Sequence, residues 1–509
     1  MSELNISKEF PESYWIDSVE QDHYLQASGN HAEVVIVGGG ITGITLAYLL
    51  VQEGVKVALI EANRIMHGTT GHTTAKITAQ HGLIYDQFIN QIGLEKAKLY
   101  YEANNEALHF IRQTIRDHRL ECEFSSQKAY VYTNSAAYFE KVSQEMHAYD
   151  RLGISGGLVE ELPIPVPAKL AIAMNDQAQF HPLKYLQTLA KAIIEGGGVI
   201  LENAPVVDVD KGDQPKVVLK DGREITGDQL VLASHYPFYD WRGVYFSRLH
   251  AERSYVVTAR TKKPYAGGMY ITAESPTRSI RYTPLGQGEN LLLIGGESHK
   301  TGQGKDTLKH YEALDAFTKE HFDIEEISYR WSAQDLVTLD NIPYIGRLTA
   351  NQENIYVATG YAKWGMTNGT AAARLLRDSI LQKQNKYEEL YTPGRFNASP
   401  SIKNFIVQNA DVAQELVKGK LERPERKIED LSDDEGAAIT VNGKRAGCYK
   451  DCDGKFHVVD TTCTHLGCET KWNSGERTWD CPCHGSRFSY KGEVVEGPAT
   501  EPLKRIDLE

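Results

Sequence analysis

Two short segments near the C-terminus each combine cysteine with histidine, and they constrain the fold more than any other feature of the chain. The first segment, 463–468, reads Cys-Thr-His-Leu-Gly-Cys, and the second, 481–486, reads Cys-Pro-Cys-His-Gly-Ser. Thiolates and imidazoles spaced this closely are typical metal ligands. The surrounding chain must therefore fold so that two loops meet at one metal centre.

The spacing of these ligands distinguishes two kinds of metal centre. Structural zinc sites with two Cys and two His usually take the cysteines as one close pair and the histidines as another. Here each segment mixes the two types, as C-x-H and C-x-x-H, and a second pair of cysteines is left over. A Rieske [2Fe–2S] centre, in which two His replace two Cys on one iron, accounts for this arrangement better than zinc.

Both segments resemble the two ligand motifs of the Rieske family, which are present here in unaltered form. Gly497-Pro498-Ala499 matches the proline loop of that family. The resemblance implies two cysteine ligands for one iron and two histidine ligands for the other: Cys463, Cys481, His465 and His484. It also implies a disulfide between Cys468 and Cys483. That pair is typical of the respiratory type and is usually missing from ring-hydroxylating oxygenases and their ferredoxins.

Two positions in and after the second segment bear on the redox potential of the cluster. Ser486 matches the family serine whose hydroxyl hydrogen-bonds a bridging sulfide and raises the potential. High-potential members carry a tyrosine two residues later, where this chain has Phe488. Because phenylalanine has no hydroxyl to bond a ligand thiolate, we expect a potential below that of the respiratory members.

The cysteines outside the two segments are not expected to bind iron. Cys448 and Cys452 form a C-x₃-C pair that lies outside the Rieske pattern, so we predict that they are small residues of a hairpin. Disulfides are unusual in the cytosol. The bridge between Cys468 and Cys483 is therefore expected to persist because it packs against the cluster.

A glycine-rich turn near the N-terminus predicts a second cofactor. The apolar run Glu33–Val37 enters the motif G-x-G-x-x-G at 38–43, a helical pattern follows, and a second apolar run, 55–60, ends in Glu61. Strand, glycines, helix, second strand and acid in this order are the context that a dinucleotide-binding motif requires. The alternative is a doubly wound fold without a nucleotide.

Each part of this motif has an expected role in binding a dinucleotide. Gly38 makes the turn, Gly40 admits the pyrophosphate, and Gly43 lets helix and strand pack closely. The helix that starts at Ile41 and Thr42 directs its N-terminus at the phosphates. Glu61 would accept the ribose hydroxyls.

The segments that follow resemble the D-amino-acid-oxidase/glycine-oxidase superfamily, in which the dinucleotide is FAD. The hydroxyl-rich loop 68–76, the segment 203–207, the approach 341–346 and the glycine-rich turn 358–369 match that family in order, over about residues 30 to 385. The resemblance implies these further flavin contacts: Gly68, Thr69, Thr70, Val206, Gly360, Gly365 and Met366. Ala233-Ser234-His235 departs from it, since many members have Ala-Thr-Gly there.

The sequence limits the source of the electrons. A second G-x-G-x-x-G motif, which pyridine-nucleotide-disulfide reductases and ferredoxin reductases carry, is missing downstream. This argues against direct reduction by NAD(P)H.

The candidates for catalysis rest on the same resemblance and carry open alternatives: Arg281, Tyr282, Lys363, Trp364 and His81. Arg281-Tyr282 lies at about the place where members of that family have the arginine that binds the substrate carboxylate, and a guanidinium suits that role. The alternative is that Arg281 is a solvated residue at a sheet edge. Trp364, beside Lys363, either covers the flavin or packs in the core. His81 contacts flavin or substrate, or is structural. His67 is considered as a covalent flavin anchor, without local support.

Length and sequence pattern predict the domain organisation. With 509 residues the chain exceeds one ordinary domain. We predict an arm over 1–30, an α/β doubly wound FAD domain with an antiparallel substrate sheet over 31–386, and a small all-β Rieske domain over 431–509. The intervening tract, 387–430, is predicted to hold an interdomain helix rather than a membrane-surface helix. Its apolar residues could share one face: Phe405, Ile406, Val412, Leu416 and Val417.

Charge and hydropathy exclude several partners and compartments. The net charge of −13 argues against nucleic acid or an anionic membrane surface as partner. No stretch approaches eighteen consecutive apolar residues, so no membrane span is expected. The N-terminus lacks the basic start and apolar run of a signal peptide, which predicts a cytoplasmic protein.

Together the two cofactors predict an electron-transfer enzyme. FAD would oxidise a small organic donor, an amine or amino acid, and the cluster would pass single electrons to a protein or quinone acceptor, which makes the design that of a dehydrogenase. One alternative is an adaptor in which a partner loads the cluster and the flavin performs a reduction. Another is a redox sensor or scaffold with a vestigial flavin site, against which the intact motifs speak.

Overall fold

A computed structural model describes residues 11–20, 22–24, 29–240, 243–261, 263–304, 306–395, 398–422, 424–441 and 443–508. Half of the predicted arm, 1–30, falls outside these residues. Its described part forms a short helix in which Tyr14 and Trp15 are buried. Trp15 Nε1 donates to the carbonyl of Thr73 at 2.7 Å, so this part is fixed to the hydroxyl-rich loop.

The helices are α1 (Tyr14–Asp17), α2 (Ile41–Gln52), α3 (Tyr85–Ile92), α4 (Leu94–Asp117), α5 (Phe139–Leu152), α6 (Pro182–Glu195), α7 (Leu308–His321), α8 (Gly365–Ile380), α9 (Glu388–Tyr391) and α10 (Ala398–Leu421). Short 3₁₀ helices cover Thr69–His72, Ala136–Tyr138, Tyr245–Ser247 and Ile428–Asp430. Among the described residues, no helix combines the length and the apolar character needed to cross a bilayer.

The strands are β1 (His31–Val37), β2 (Val57–Ile60), β3 (Lys76–Ile77), β4 (Ser125–Thr133), β5 (Gly156–Val159), β6 (Leu170–Gln179), β7 (Val199–Leu201), β8 (Val206–Asp210), β9 (Lys216–Leu219), β10 (Glu224–Leu232), β11 (Leu249–Thr261), β12 (Met269–Thr272), β13 (Arg278–Gly286), β14 (Glu289–Lys300), β15 (Glu326–Thr338), β16 (Tyr344–Arg347), β17 (Ile355–Thr359), β18 (Glu435–Val441), β19 (Lys444–Lys450), β20 (Phe456–Val459), β21 (Lys471–Asn473), β22 (Thr478–Asp480), β23 (Arg487–Ser489) and β24 (Val494–Glu496).

The first sheet is the doubly wound sheet that the glycine motif predicts. Its order is β16-β17-β10-β1-β2-β7, with β9 paired to β10 and β8 paired to β9. From β17 to β7 all neighbours are parallel. Because the central strands are covered on both faces, β2 is buried at all of its positions. Helix α2 begins where β1 ends, so the glycine turn lies at the carboxyl edge of the sheet.

The second sheet forms the wall opposite this edge. Its order is β15-β11-β14-β13-β12-β4-β6-β3, with β5 paired to β6. Neighbours are antiparallel except for β12 and β4, which are parallel. This is the antiparallel substrate sheet expected from the sequence, and it places β3, directly after the hydroxyl-rich loop, at one end.

The C-terminal domain consists of two small antiparallel sheets, β18-β19-β20 and β21-β22-β23-β24. Segment 463–468 connects β20 to β21, and segment 481–486 connects β22 to β23. The two metal-binding segments are therefore loops on one small all-β domain, as predicted. Cys448 is buried in β19, a strand of the hairpin β18-β19, and Cys452 is exposed after it.

The helix of the tract between the domains, α10, contacts both of them. Asp411 pairs with Lys300 of the flavin domain, and Glu415 pairs with Lys471 of the cluster domain at 2.6 Å. Val412 packs on the hydrophobic core of the C-terminal domain, which includes the metal-binding cysteines. The other apolar residues that the sequence placed on the same face lie on the exposed side of the helix.

Candidate active site and metal centre

The two metal-binding loops meet in the structure. A disulfide joins Cys468 to Cys483 and ties one loop to the other, which confirms the pairing implied by the family resemblance. The sulfur atoms of Cys468, Cys481 and Cys483 lie within 4.8 Å of one another. Since two of these sulfurs are bonded to each other, Cys481 is the thiol of this group that remains free to bind a metal.

The four proposed ligands form one buried donor set. Cys463 and Cys481 are both buried, and a hydrogen bond between the two thiols lowers the pKa of Cys463 to about 7 and raises that of Cys481. The imidazole rings of His465 and His484 lie 5.1 Å apart. Their Nδ1 atoms are buried and have no hydrogen-bond partner among the residues that the structure describes.

Burial keeps both imidazoles in the form that binds metals. It lowers the pKa of His465 to about 4 and that of His484 to about 3, so both rings are neutral at physiological pH. Buried ring nitrogens without a partner are costly unless something else satisfies them. Two free thiols and two unpartnered nitrogens therefore fit a mixed Cys/His iron–sulfur centre.

The residues expected to tune the cluster lie against the same loops. Ser486 Oγ accepts a hydrogen bond from the backbone N–H of Ala499 at 3.0 Å, which leaves its own hydroxyl proton available to a neighbour. Phe488 is fully buried in the core cluster that contains Cys463 and Cys481. The proline loop therefore packs on the second metal-binding loop, and Phe488 brings no hydroxyl to it.

The glycine turn has the close contacts that its motif requires. A Cβ on Gly38, whose φ is +113°, would lie 2.4 Å from the carbonyl oxygen of Ala233. A Cβ on Gly43 would lie 2.0 Å from the carbonyl oxygen of Gly38. These contacts leave room for glycine alone, and they bring helix α2 directly onto the strand as predicted.

Glu61 and the hydroxyl-rich loop complete this turn. Glu61 accepts backbone hydrogen bonds from Gly39 at 2.8 Å and from Asn63 at 2.9 Å. Burial raises its pKa, and these bonds act in the opposite direction. Thr70 Oγ1 accepts from the N–H of Ile41 at 3.0 Å, so the loop closes over the first turn of α2.

A cavity of about 1100 Å³ runs from this turn between the two large sheets. It is lined by most of the residues for which the sequence predicts cofactor or substrate contact: Gly38, Gly40, Ile41, Thr42, Glu61, Gly68, Thr69, Thr70, Val206, Lys363, Trp364, Gly365 and Met366. These residues would hold FAD, whose bound flavin accepts a pair of electrons and releases them singly. Volume and lining suit an extended dinucleotide.

Two predicted cofactor residues support the cavity from behind its surface. Gly43 and Gly360 are not part of the lining. Gly360 has a φ of +79°, and a Cβ there would lie 2.4 Å from Thr338 Cγ2. The late turn therefore needs glycine for backbone packing, whereas Gly365 and Met366, which begin α8, face the cavity.

The interpretation of Arg281 as a substrate-binding residue is not supported by its contacts. Its side chain is buried and donates to the backbone carbonyls of Thr74 at 2.9 Å, Ala75 at 2.8 Å and Tyr282 at 3.0 Å. Neither Arg281 nor Tyr282 lines the cavity. Arg281 is thus neither a substrate clamp nor a solvated edge residue. It anchors the chain after the hydroxyl-rich loop to the second sheet, and its position depends on long-range packing.

The contacts of His81 agree with a structural role. Its Nδ1 bonds the hydroxyl of Tyr100 at 2.7 Å, and its Nε2 lies 2.9 Å from the carbonyl oxygen of Thr78. Burial lowers its pKa to about 3, so the ring is neutral. It stacks on Trp364 with centroids 4.7 Å apart and does not line the cavity. His81 therefore supports Trp364, which forms the wall.

Lys363 and two residues without a predicted role, Asp335 and Lys76, add charge to the cavity lining. Lys363 lies 3.4 Å from Glu252. Burial raises the pKa of Asp335 to about 7 and lowers that of Lys76 to about 7. Lys76 donates to the carbonyl of Tyr270 at 3.2 Å and to a serine hydroxyl. Lys76 follows the quoted loop in sequence, but only the fold shows that it faces the cavity.

His67 also lines the cavity. Its Nε2 is buried and has no hydrogen-bond partner, and burial lowers its pKa. The covalent anchor considered from the sequence stays a hypothesis, since the ring is accessible to the cavity without any further feature that favours a bond.

The cavity and the metal centre share a wall. Residues of the cluster domain, among them Glu496 and the proline loop 497–499, line the cavity together with the glycine turn. Arg253 is fully buried and donates to Glu496 at 2.8 Å across the domain boundary. Gln334 Nε2 donates to the carbonyl of Gly485, the neighbour of a histidine ligand, at 3.0 Å. Sequence reasoning identified neither Arg253 nor Gln334.

Gln334 also contacts the cofactor loop. Its backbone carbonyl accepts a hydrogen bond from the Thr69 hydroxyl at 3.2 Å. A Cβ on Gly485 would lie 2.4 Å from the Cβ of Ala251, so the metal-binding loop lies directly against the flavin domain. One residue therefore links the hydroxyl-rich loop to the loop that carries His484.

Comparisons with known proteins agree with both sites. The family model described as FAD dependent oxidoreductase matches residues 33–379, and that of the Rieske [2Fe-2S] domain matches residues 423–507. A Bacillus subtilis (strain 168) protein named as a Rieske 2Fe-2S iron-sulfur protein, YhfW, is 50% identical over 100% of both chains. Gamma-glutamylputrescine oxidoreductase of Escherichia coli (strain K12) is 22% identical, over 70% of this chain and 85% of its own.

A solved structure shows the same fold. Glycine oxidase from Geobacillus kaustophilus superposes with a TM-score of 0.62 at 17% identity, over 72% of this chain and 100% of its own. The ligand set, the glycine turn and these matches lead to one assignment. The chain belongs to the DAO family of FAD-dependent oxidoreductases and carries a C-terminal Rieske [2Fe–2S] domain.

Proposed function

We propose that this protein is a dehydrogenase for a small amine or amino acid, in which FAD supplies two-electron oxidation of a C–N bond and the cluster supplies one-electron transfer to an external acceptor. One observation carries the proposal: residues of the flavin domain and the cluster domain line the same cavity. An oxidase that delivers electrons to oxygen does not need a second redox domain beside its flavin cavity. A fixed contact between the domains suits transfer within one chain.

The contacts at this wall hold the domains in one arrangement. Arg253 is fully buried between Ser332 at 2.7 Å and Glu496 at 2.8 Å. Nearby charges, Arg487 foremost among them, lower the pKa of Glu496 to about 2 in spite of its burial, so it stays ionised. Breaking a buried pair of this kind leaves an uncompensated charge, which opposes separation of the domains.

The charged residues of the cavity support an amine donor. An amine must lose its proton before its C–N bond can be oxidised, and a group with a pKa near the working pH is suited to accept that proton. Asp335 and Lys76 both line the cavity, and both have a pKa of about 7. Trp364, held by His81, gives this region an apolar wall.

The names of two similar proteins support the same class of donor. Gamma-glutamylputrescine oxidoreductase and glycine oxidase are both named for substrates that contain an amine. Because their identity to this chain is low, they show a shared fold and do not show a shared substrate. The proposal for an amine or amino acid therefore rests on the cavity together with this agreement.

The test is anaerobic mixing of the purified holoprotein with a panel of amines and amino acids, with NAD(P)H as a separate arm. We expect at least one amine or amino acid to bleach the flavin absorbance, followed by the electron paramagnetic resonance signal of the reduced cluster. NAD(P)H should leave both unchanged. If no amine reduces the flavin while a reductant of the cluster does, the flow runs in the opposite direction and the adaptor alternative is correct.

A further inference from the structure

Helix α10 turns its polar side toward the protein. Asn404 and Asn409 donate side-chain hydrogen bonds to backbone carbonyls of the flavin domain at 2.7 and 3.1 Å. Asp411 accepts from the side chains of a lysine and a glutamine of that domain. Glu415 is buried and pairs with Lys471 of the cluster domain at 2.6 Å. The side of the helix that packs on the protein is therefore mainly polar, the reverse of an ordinary surface helix.

The exposed side of α10 is apolar. Its large apolar side chains are between 37% and 75% exposed: Ile402, Phe405, Ile406, Val407, Leu416, Val417 and Leu421. They form two groups, 402–407 and 416–421, on an element of 24 residues that is about 36 Å long. Single exposed apolar residues are normal, whereas groups of them on one side of an element mark an interaction surface.

The acidic residues of α10 and one of its lysines have partners on the protein, since Lys420 pairs with Glu469 of the cluster domain. Both acidic residues of the helix, Asp411 and Glu415, lie on the side that packs on the protein and are paired there. Lys403 and Lys418 are exposed among the apolar residues. Among the described side chains of the helix, none on the exposed side is acidic. This local distribution is the opposite of the net charge of −13 of the whole chain.

The surface lies close to the metal centre. On the inner side of α10, the carbonyl oxygen of Val412 lies 3.9 Å from the sulfur of Cys483. The disulfide connects Cys483 to the first metal-binding loop. In that loop Leu466, the neighbour of a histidine ligand, is 44% exposed. Apolar surface is thus present on the helix and on the loop that carries His465.

We propose that α10 lies on a lipid bilayer, with its outward apolar side chains in the interfacial region and its lysines against lipid phosphates. A helix that is apolar on one side, has lysines beside the apolar residues and carries no acid on that side suits a membrane surface. Protein interfaces are instead enriched in Tyr, Trp and Arg and depleted in Lys. The exposed row has Phe405 as its one aromatic residue and includes Lys403 and Lys418.

This surface does not depend on the proposed function. If that function holds as well, a lipid-soluble acceptor of the quinone class would meet the protein beside its cluster domain. The two proposals fail separately: membrane binding is measured without any donor, and flavin reduction by an amine is measured without any membrane.

The first experiment measures sedimentation of the full-length holoprotein with vesicles of phosphatidylcholine and phosphatidylglycerol. We expect wild type to sediment with the vesicles and the double variant Phe405→Asp/Val417→Asp to bind at least about tenfold more weakly, because carboxylates replace the apolar contact. Leu158→Asp/Ile194→Asp is the matched control. It changes exposed apolar residues, 47% and 44% accessible, on other elements, and should bind as wild type does.

The second experiment places the helix relative to the lipid. Phe405→Trp should show tryptophan quenching by brominated acyl chains beyond that of wild type, because the new indole enters the apolar region. Cofactor absorbance of each variant serves as the check of folding. Equal vesicle binding by wild type and Phe405→Asp/Val417→Asp overturns the proposal. So does a wild-type dimer in the absence of vesicles that the same variant dissociates, since a second copy then covers the face.

Discussion

At the residue scale, Phe488 and Ser486 set the expected potential of the cluster. Ser486 already receives a hydrogen bond from the backbone of Ala499 at 3.0 Å, so its hydroxyl proton remains free to donate. Phe488 is buried in the core that contains Cys463 and Cys481. The chain thus keeps one expected donor toward the centre and lacks the other, which predicts a potential between those of low- and high-potential clusters.

Phe488→Tyr is expected to raise the potential, and Ser486→Ala is expected to lower it. A hydrogen bond to a charged group contributes about 1.5–3 kcal/mol, and a tenfold change in a one-electron equilibrium corresponds to about 59 mV. Shifts of tens of millivolts or more should therefore appear in a redox titration of the holoprotein followed by electron paramagnetic resonance. An unchanged potential in Phe488→Tyr would show that the new hydroxyl does not reach a ligand.

Lys76 predicts a pH dependence of stability. Its pKa is lowered by burial to about 7, whereas the unfolded chain has a lysine pKa of about 10.4. The resulting destabilisation is fully present below pH 7 and is relieved as the pH rises from about 7 to about 10.4, because the unfolded state binds the extra proton in that window. Lys76→Met should raise the apparent Tm at pH 6 and raise it less at pH 9. A gain that is equal at both pH values contradicts the lowered pKa.

At the scale of elements, the disulfide holds two loops that β20, β21, β22 and β23 carry separately. Cys468 and Cys483 are 15 residues apart, and closing a loop of that size stabilises a fold by about 3 kcal/mol in the chain-entropy model. Cys468→Ser should therefore leave the ligands in place and make the cluster labile. The measurement is loss of its visible absorbance under a chelator. Cys452→Ser, which changes an exposed cysteine, is the control and should match wild type.

At the scale of the whole molecule, Gln334 joins the two cofactor sites. Its side-chain amide donates to the backbone carbonyl of Gly485 at 3.0 Å. Its backbone carbonyl accepts a hydrogen bond from the Thr69 hydroxyl. Gln334→Met keeps the length of the side chain and removes the amide, so the metal-binding loop loses this hydrogen bond to the flavin domain. We expect flavin and iron contents to stay unchanged while transfer from flavin to cluster slows roughly 10- to 100-fold.

Stopped-flow absorbance separates the two steps, since flavin and cluster bleach at different wavelengths. Gln303→Met is the matched control. It removes another glutamine that bridges structural units, through Asp411 of α10, at 2.8 Å. Transfer in Gln334→Met as fast as in wild type would show that the route between the sites does not depend on this contact.

The sequence by itself determined the chemistry of both sites. Segments 463–468 and 481–486 and the glycine turn 38–43 are local motifs, whose residue types and spacing predict an iron–sulfur centre and a dinucleotide site. The assignment of the dinucleotide as FAD and the disulfide between Cys468 and Cys483 followed from the resemblance of these segments to known families. Local patterns were sufficient because residue type and spacing limit the chemistry of each motif, even though the two metal-binding loops meet only in the fold.

Only the tertiary structure decided which of the remaining polar side chains face the cavity. Arg281 has the right chemistry for a carboxylate, yet backbone carbonyls from the second sheet and the hydroxyl-rich loop occupy its donors. The sequence predicted that apolar residues of α10 share one face of an interdomain helix. Most of them lie outward, because the polar side of the helix has partners on both domains. Accessibility depends on contacts between residues far apart in the chain, and no local pattern encodes those contacts.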